Sequence, residues 1–464
     1  MSESRWKPAS GLSTAARLHW PALLVGGVAG CTALVVAVVC PPFHAPDEQK
    51  HFDYVQRLGE DARLADLASC TVPQSSEESH AIGIELVAPV ARRQERSVPV
   101  ETFRLPPSDA AARLTSGCND AATHPPLYYA ISALGYRSAA AGNVLQRIHG
   151  ARLASVFWGM AGAIAAYLAG AWFFGRRSDG ALVGLTFALQ PMIVFLNGVV
   201  NNDSAAICAA AACWAALARL WRAEQRGRTL VVLGFLALVG VQTKTTFTLT
   251  LPVFAAGCLL VLGPGRLSSW VKTATVFLPA AAAEVAWRIH ARAAIAKGMS
   301  GGGTSISLVR YLQSALDYSH LREVWIDEYW MAWGWVDVRL PLQHYWTIRL
   351  LLLLALAGLC LGWTTLDRRS RAFVGFVAAA TVFLCGTLYA IEYAVIRRTP
   401  LVSFIQGRYA LTLFPAHAAA LSIGLRGLTA RVTSRLDPAW VVPSLLVPLD
   451  VASVAALTLR FYHA

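Results

Sequence analysis

The sequence predicts an all-α, polytopic integral membrane protein with about eleven transmembrane helices. Three observations predict it. Of the 464 residues, 56% are hydrophobic and only 14% charged, against about 25% charged in a soluble domain. Mean hydropathy is positive, at +0.48. Apolar runs approaching the roughly 20 residues needed to cross a hydrocarbon core recur along the chain, and the links between them alternate in character. An ordinary soluble enzyme and a disordered chain are thereby excluded.

Taken in order, the runs lie near 20–40, 152–174, 180–201, 204–220, 229–242, 246–263, 273–290, 346–365, 372–391, 409–425 and 438–459. The fifth is short, and the last holds Asp450 and three prolines. One set of links is short and basic: Arg5, Lys7 and Arg17; Arg176 and Arg177; Arg219, Arg222, Arg226 and Arg228; Arg266 and Lys272; Arg368, Arg369 and Arg371; Arg426, Arg431 and Arg435. The positive-inside rule puts these in the cytoplasm, with the N-terminus inside and the C-terminus outside. Most of the +13 formal charge is then an orientation signal, not a footprint for nucleic acid. The first segment lacks a small-residue cleavage site and is not expected to be a removable signal peptide.

The other links face outside. Residues 41–151 form a large first extracytoplasmic loop, 291–345 a second that begins with Gly301 to Gly303, and 392–408 a third, all within a single transmembrane domain over 1–464. Residues 125–140 resemble a span. They number only about 16, open on Pro125 and Pro126, and carry Arg137. If they crossed, every later basic link would invert, so a non-spanning helix on the outer face is expected. Seven of the nine cysteines lie in or beside spans and read as packing residues. Cys70 and Cys118 share the first outer loop, where an oxidising compartment favours a disulfide between them.

Charged residues at the outer ends of spans are the candidates for chemistry. Asp47 and Glu48 follow the first span directly, with His44, His51 and Asp53 nearby. An acid at this depth is placed to act as a general base, and clustered carboxylates and imidazoles are also a set that holds a divalent cation. A solvated helix N-cap at Asp47 is the plain alternative. Asp203 reaches the same boundary, where capping the fourth span is its plain alternative. Lys244, between two apolar runs, and Arg408, flanked by Gln406 and Tyr409, are cations suited to a phosphate or to anchoring at the interface. The stretch 324–341 is rich in aromatics and carboxylates, Trp335 and Asp337 among them. It suits an interfacial belt or a sugar platform. His124 adds a polar group on the same side. A transporter would place such charges near the midplane, where only Glu284, Asp450 and Arg288 qualify.

The stretches PPFHAPDEQKHF (41–52), HPPLYY (124–129), VVNNDSAA (199–206), QTKTTF (242–247), WGWVDVRLP (333–341) and QGRYALTLFP (406–415) resemble the GT-C superfamily of polytopic membrane glycosyltransferases. The chain looks most like a bacterial domain-of-unknown-function membrane family, number 2142. The resemblance covers residues 20 to about 425. It implies a GT-C-like multi-helix membrane core whose first outer loop bears juxtamembrane helices. It also implies transfer of a sugar from a polyprenyl-phosphate donor to an acceptor hydroxyl on a cell-envelope glycan or lipid, with inversion, at the outer face of the bacterial cytoplasmic membrane. On that analogy Asp47 is the general base with Glu48 beside it. Arg408, Lys244, Gln406 and Tyr409 receive the donor phosphate. Asp203, His51, His124, Trp335 and Asp337 face acceptor or sugar. A divalent cation, Mg or Mn, would sit between Asp47 and Asp203. Two other readings are a transporter or flippase of a lipid-linked glycan, and a membrane acyltransferase using His124 or His51.

Overall fold

The computed structural model describes residues 20–64, 73–75, 113–115, 119–222, 226–298, 306–334, 338–398, 405–432 and 437–462. It is built of helices: α1 (Trp20–Val39), α2 (Glu48–Glu60), α3 (Leu127–Ser138), α4 (Val144–Phe174), α5 (Arg177–Ala188), α6 (Pro191–Asn197), α7 (Asp203–Trp221) and α8 (Arg226–Val241). Then come α9 (Leu251–Leu262), α10 (Leu267–Gly298), α11 (Leu308–Ala315), α12 (Tyr318–Arg322), α13 (Leu342–Gly362), α14 (Arg368–Ile396), α15 (Phe414–Val432) and α16 (Pro438–Tyr462). One small antiparallel ladder pairs β1 (Pro73–Ser75) with β2 (Arg113–Thr115). The all-α expectation is met apart from that ladder.

All eleven apolar runs are helical, but the expected count of spans is not reached. Among the described residues eight segments are long and apolar enough to cross a membrane, and a ninth arises if α5 and α6, bent by 66°, are taken as one span. The bend has a local cause. Pro191 starts α6, and the Gln190 side chain accepts from Ile193 N at 2.6 Å, capping a new helix where the old one ends. α8 has 16 residues, about 24 Å of helix, and α10 carries Lys272, Glu284, Arg288 and Arg292; neither qualifies. The chain is nonetheless a multi-pass membrane protein: α1, α8, α10, α13, α14 and α16 all present large apolar side chains outward, such as Leu24, Phe235, Leu278, Leu353, Val382 and Val451.

The core sits around α4 and α7. α7 is apolar and alanine-rich on every side and is buried by α4, α8, α9 and α15. α4 opens on a capping box, Asn143 with Gln146, and closes on Gly175 at φ 80°. Its first turns carry the segment between α1 and α4: α2 and α3 lie against it through an aromatic cluster in which Tyr54 stacks on Tyr129 at 4.0 Å and Tyr128 bonds Ser155 at 2.8 Å. At 12 residues, about 18 Å, α3 is too short to cross, which agrees with the non-spanning expectation. α13 and α15 cross where Gly358 and Gly424 bring backbone against backbone with no room for a Cβ.

Candidate functional site

The chain leaves α1 through Pro41 and Pro42 and turns sharply, with Phe43 at φ 63° and Asp47 at φ 59°. Left-handed backbone at a non-glycine residue is costly and persists only where its surroundings enforce it. Glu48 supplies the enforcement. Its carboxylate is fully buried and meets Arg152 of α4 in a bidentate pair, 2.8 Å on each oxygen. It also accepts from Val200 N at 2.9 Å and Phe43 N at 3.0 Å. Arg152 in turn donates to the carbonyls of Ala37, Cys40 and Pro41. The pairing of Asp47 and Glu48 expected from the sequence therefore splits into two different environments. Glu48 fastens the start of α2 to α1, α4 and the loop before α7.

Asp47 is left apart from that network. It precedes α2 but its side chain caps no backbone N–H, so the plain N-cap alternative does not describe it. Its side chain is 41% exposed and its nearest cation is Lys50, at 3.5 Å. Its field reaches Lys244, Arg408 and Tyr409.

Those residues meet at Asp203. The loop 198–202 after α6 ends in two asparagines. Asn201 Oδ1 accepts from Asp203 N at 2.8 Å, and Asn202 Nδ2 donates to Thr243 O at 3.2 Å, tying the start of α7 to the turn that bears Lys244. Lys244 Nζ then donates to Asp203 Oδ1 at 2.6 Å. Arg408 Nε stands 3.8 Å from Asp203 Oδ2, delivered by the 3-10 segment Gly407–Leu413. All three side chains are under 10% exposed. Tyr409 lies beneath both cations, 5.7 Å from Lys244 Nζ and 5.8 Å from the Arg408 guanidinium carbon. Burial holds the Lys244 pKa below its usual value, while Asp203 opposes the shift. Asp203 Oδ2, Asn202 Oδ1 and Arg408 Nε are buried without a hydrogen-bond partner. Such orphaned polar atoms are rare in a folded interior and need an explanation.

His51 and His124 flank the cluster. His51 bonds Tyr129 OH at 2.8 Å and stacks on His124, with ring centroids 6.2 Å apart. His124 meets Thr245 Oγ1 at 3.0 Å, next to Lys244. Burial first, and Lys244 second, push the His51 pKa down to about 3, so the ring is neutral at physiological pH and adds no third positive charge. Gln406 lines a small recess with Pro46, Gly334, Gly407, Arg408 and Glu328. Glu328 was not singled out as a site residue from the sequence, where it is one carboxylate in an interfacial aromatic run. It accepts from Gly407 N at 3.3 Å, and burial pushes its carboxyl pKa up. Trp335 and Asp337, and the proposed Cys70–Cys118 disulfide, lie outside the described residues. The seven described cysteines are free thiols.

The donor set does not fit the divalent cation suggested from sequence. Asp203 already faces two cations, Asp47 has Lys50 beside it, and among the described residues no three His, Cys, Asp or Glu side chains gather as a metal site. An apolar cavity of about 380 Å³ is lined by Tyr329, Trp330, Ala410, Phe414, His417 and Leu421 among others. His417 spans it, bonded to Tyr329 OH at 2.7 Å and Thr381 Oγ1 at 2.8 Å.

Residues 31–416 match the family model described as predicted membrane protein (DUF2142). No curated relative matches the chain. Among solved structures it is similar to ArnT from Cupriavidus metallidurans in the apo state, at 15% identity over 91% of this chain and 78% of that one, TM-score 0.38. ArnT from Cupriavidus metallidurans bound to undecaprenyl phosphate gives 13% identity over 90% and 79%, TM-score 0.37. An Archaeoglobus fulgidus oligosaccharyltransferase tethered to an acceptor peptide gives 9% identity over 96% of this chain and 55% of that one, TM-score 0.41.

Proposed function

The chain belongs to the DUF2142 family of predicted membrane proteins, and from that premise we propose that it is a glycosyltransferase of GT-C type using a lipid-linked sugar. The donor is a sugar on polyprenyl phosphate, and the acceptor is a hydroxyl of a cell-envelope glycan or lipid. The reaction takes place at the outer face of the cytoplasmic membrane. One observation carries the reading: a buried cluster holding two cations for one carboxylate, with unsatisfied hydrogen-bonding atoms, beside a separate and partly exposed acid. Lys244 and Arg408 against Asp203 leave a net positive charge in a desolvated place, which an incoming phosphate would neutralise. The apolar cavity lined by Ala410, two residues after Arg408, and by Phe414 at the start of α15 suits the first isoprenoid units.

The residues then divide the work. Lys244 and Arg408 hold the phosphate oxygens and stabilise the charge that grows there as the sugar leaves. Asp47 takes the proton of the acceptor hydroxyl. The oxygen attacks the anomeric carbon from the face opposite the phosphate, a C–O bond to the acceptor forms, and the C–O bond to the phosphate breaks with its electron pair. The sugar is inverted and polyprenyl phosphate departs. Asp203 keeps the two cations apart and oriented, and neutral His51 and His124 offer hydrogen bonds to acceptor or sugar. No step requires a metal ion. For the transporter alternative, Glu284 is already tied to Arg288 at 2.6 Å, which leaves Asp450, buried in α16 with neither oxygen hydrogen-bonded, as the carboxylate that reading would use.

The test is transfer from a radiolabelled polyprenyl-phosphate sugar in membranes. Asp47→Asn is expected to reduce transfer by at least about 10²-fold, the lower end of the range for losing a positioned base, with the same membrane yield and thermal melting as wild type. Wild-type rates in that variant would sink the base assignment, and binding of labelled carrier unaffected by Arg408→Gln would sink the phosphate site.

A further inference from the structure

At the far end of α7 from Asp203 lies a second cavity that the proposed reaction does not use. α7 has 19 residues, so its ends stand about 28 Å apart. Around its last turns a groove of about 470 Å³ opens between α4, α7 and α8, floored by Ala165, Ala212, Ala215 and Ala216 and walled by Leu168 and Leu236. Small residues here keep three helices close in the bundle yet leave a channel between their surfaces. Val232, on the rim, is 45% exposed, so the groove faces the lipid.

The groove ends in charge. Arg219 and Arg228 both line it, and neither makes an ion pair among the described residues. Arg219 lies over the Trp172 ring, its guanidinium carbon 5.4 Å from the centroid. That contact fixes the plane of the fork without using its hydrogen-bond donors. A channel of alanine and leucine closed by two arginines has the polarity of one molecule: acyl chain below, anionic head above. Basic pockets between transmembrane helices are where acidic phospholipid headgroups are held.

We propose that this groove is a binding site for an anionic glycerophospholipid of the leaflet opposite the Asp203 cluster. The phosphodiester lies between Arg219 and Arg228, and one acyl chain lies along Ala212, Ala215 and Ala216. The site stands apart from the glycosyl-transfer reading and does not depend on it.

Native mass spectrometry of the protein, released from vesicles of equimolar phosphatidylglycerol and phosphatidylethanolamine, tests the proposal. Wild type is expected to retain phosphatidylglycerol over phosphatidylethanolamine by about tenfold or more, in keeping with two arginines at the surface. Arg219→Gln combined with Arg228→Gln should bring that ratio close to one. Ala212→Phe keeps every charge and fills the groove, and it should also lose the retained lipid. Added phosphatidylglycerol should raise the melting temperature of wild type and of neither variant. Equal retention of the two lipids by wild type would overturn the proposal, and so would a preference that survives the double arginine change. Retention unaffected by Ala212→Phe would show charge attraction without a groove and also overturn it.

Discussion

Asp47 and Glu48 are adjacent in the chain and opposite in environment. Glu48 is buried and fully bonded, so removing its charge leaves the Arg152 guanidinium without its counter-ion in the interior. Breaking a buried pair from one side costs about 3–5 kcal/mol. Glu48→Gln is therefore expected to lower the melting temperature markedly and to reduce folded yield, whereas Asp47→Asn leaves both unchanged. Thermal unfolding in detergent, run on the two variants side by side, checks this; equal melting would contradict the division of roles. Depth was legible at this scale and lateral contact was not. Asp47, Asp203, Lys244 and Arg408 could be picked out because each interrupts hydropathy at the same end of a span. Arg152 could not be matched to Glu48, because a single arginine near the start of a long helix carries no mark of its partner. Glu328 was masked for a related reason: in a run of tryptophans and acids, nothing in the order of residues says which carboxylate turns inward.

At the scale of elements, the segments that matter are the ones that break regularity. Helical periodicity and hydropathy located the long helices well, since a 20-residue apolar run has few alternatives in a bilayer. They did not locate the 66° bend between α5 and α6. Gln190 makes that bend by capping α6 and also donates to Tyr329 O at 2.6 Å, and Trp333 Nε1 donates to Pro191 O at 2.9 Å. The aromatic segment after α12 is thereby fixed to the broken span. Gly407 seats against that same segment, its Cα facing Val324 O and the backbone of Tyr329 with no space for a Cβ. Gly407→Ala should push the 3-10 segment outward and shift Arg408. A displacement of about 1 Å at a reacting centre costs on the order of 10²-fold, so transfer should fall far more than stability does. A variant that transfers normally would show that Arg408 needs no such seating.

Over the whole molecule, the eleven apolar runs and the scarcity of charge identified a multi-pass membrane protein, and the family match covers most of the same length. The count of spans was less legible. Span assignment from composition treats each run alone, whereas α8 and α10 are shorter or more polar than a solitary span and pack on each other. The charge arrangement also bears on cofactors. With both cations of the site supplied by Lys244 and Arg408, chelation should leave sugar transfer unchanged. Assay in excess EDTA, followed by added Mg or Mn, is the measurement; activity lost to the chelator and restored by the metal would refute the cation-only site.

The order in which the site's residues enter the chain has a consequence for biogenesis. Chains are made from the N-terminus, and Lys244 follows Asp203 by 41 residues, so these two neutralise each other as soon as their helices are inserted. Arg408 arrives only with the 3-10 segment that leads into α15. Until then the half-built protein has a balanced acid–base pair at that spot and little to attract an anion. A nascent or truncated chain would therefore be electrostatically silent toward the proposed phosphate carrier, and the pocket becomes charged only once α15 is in place.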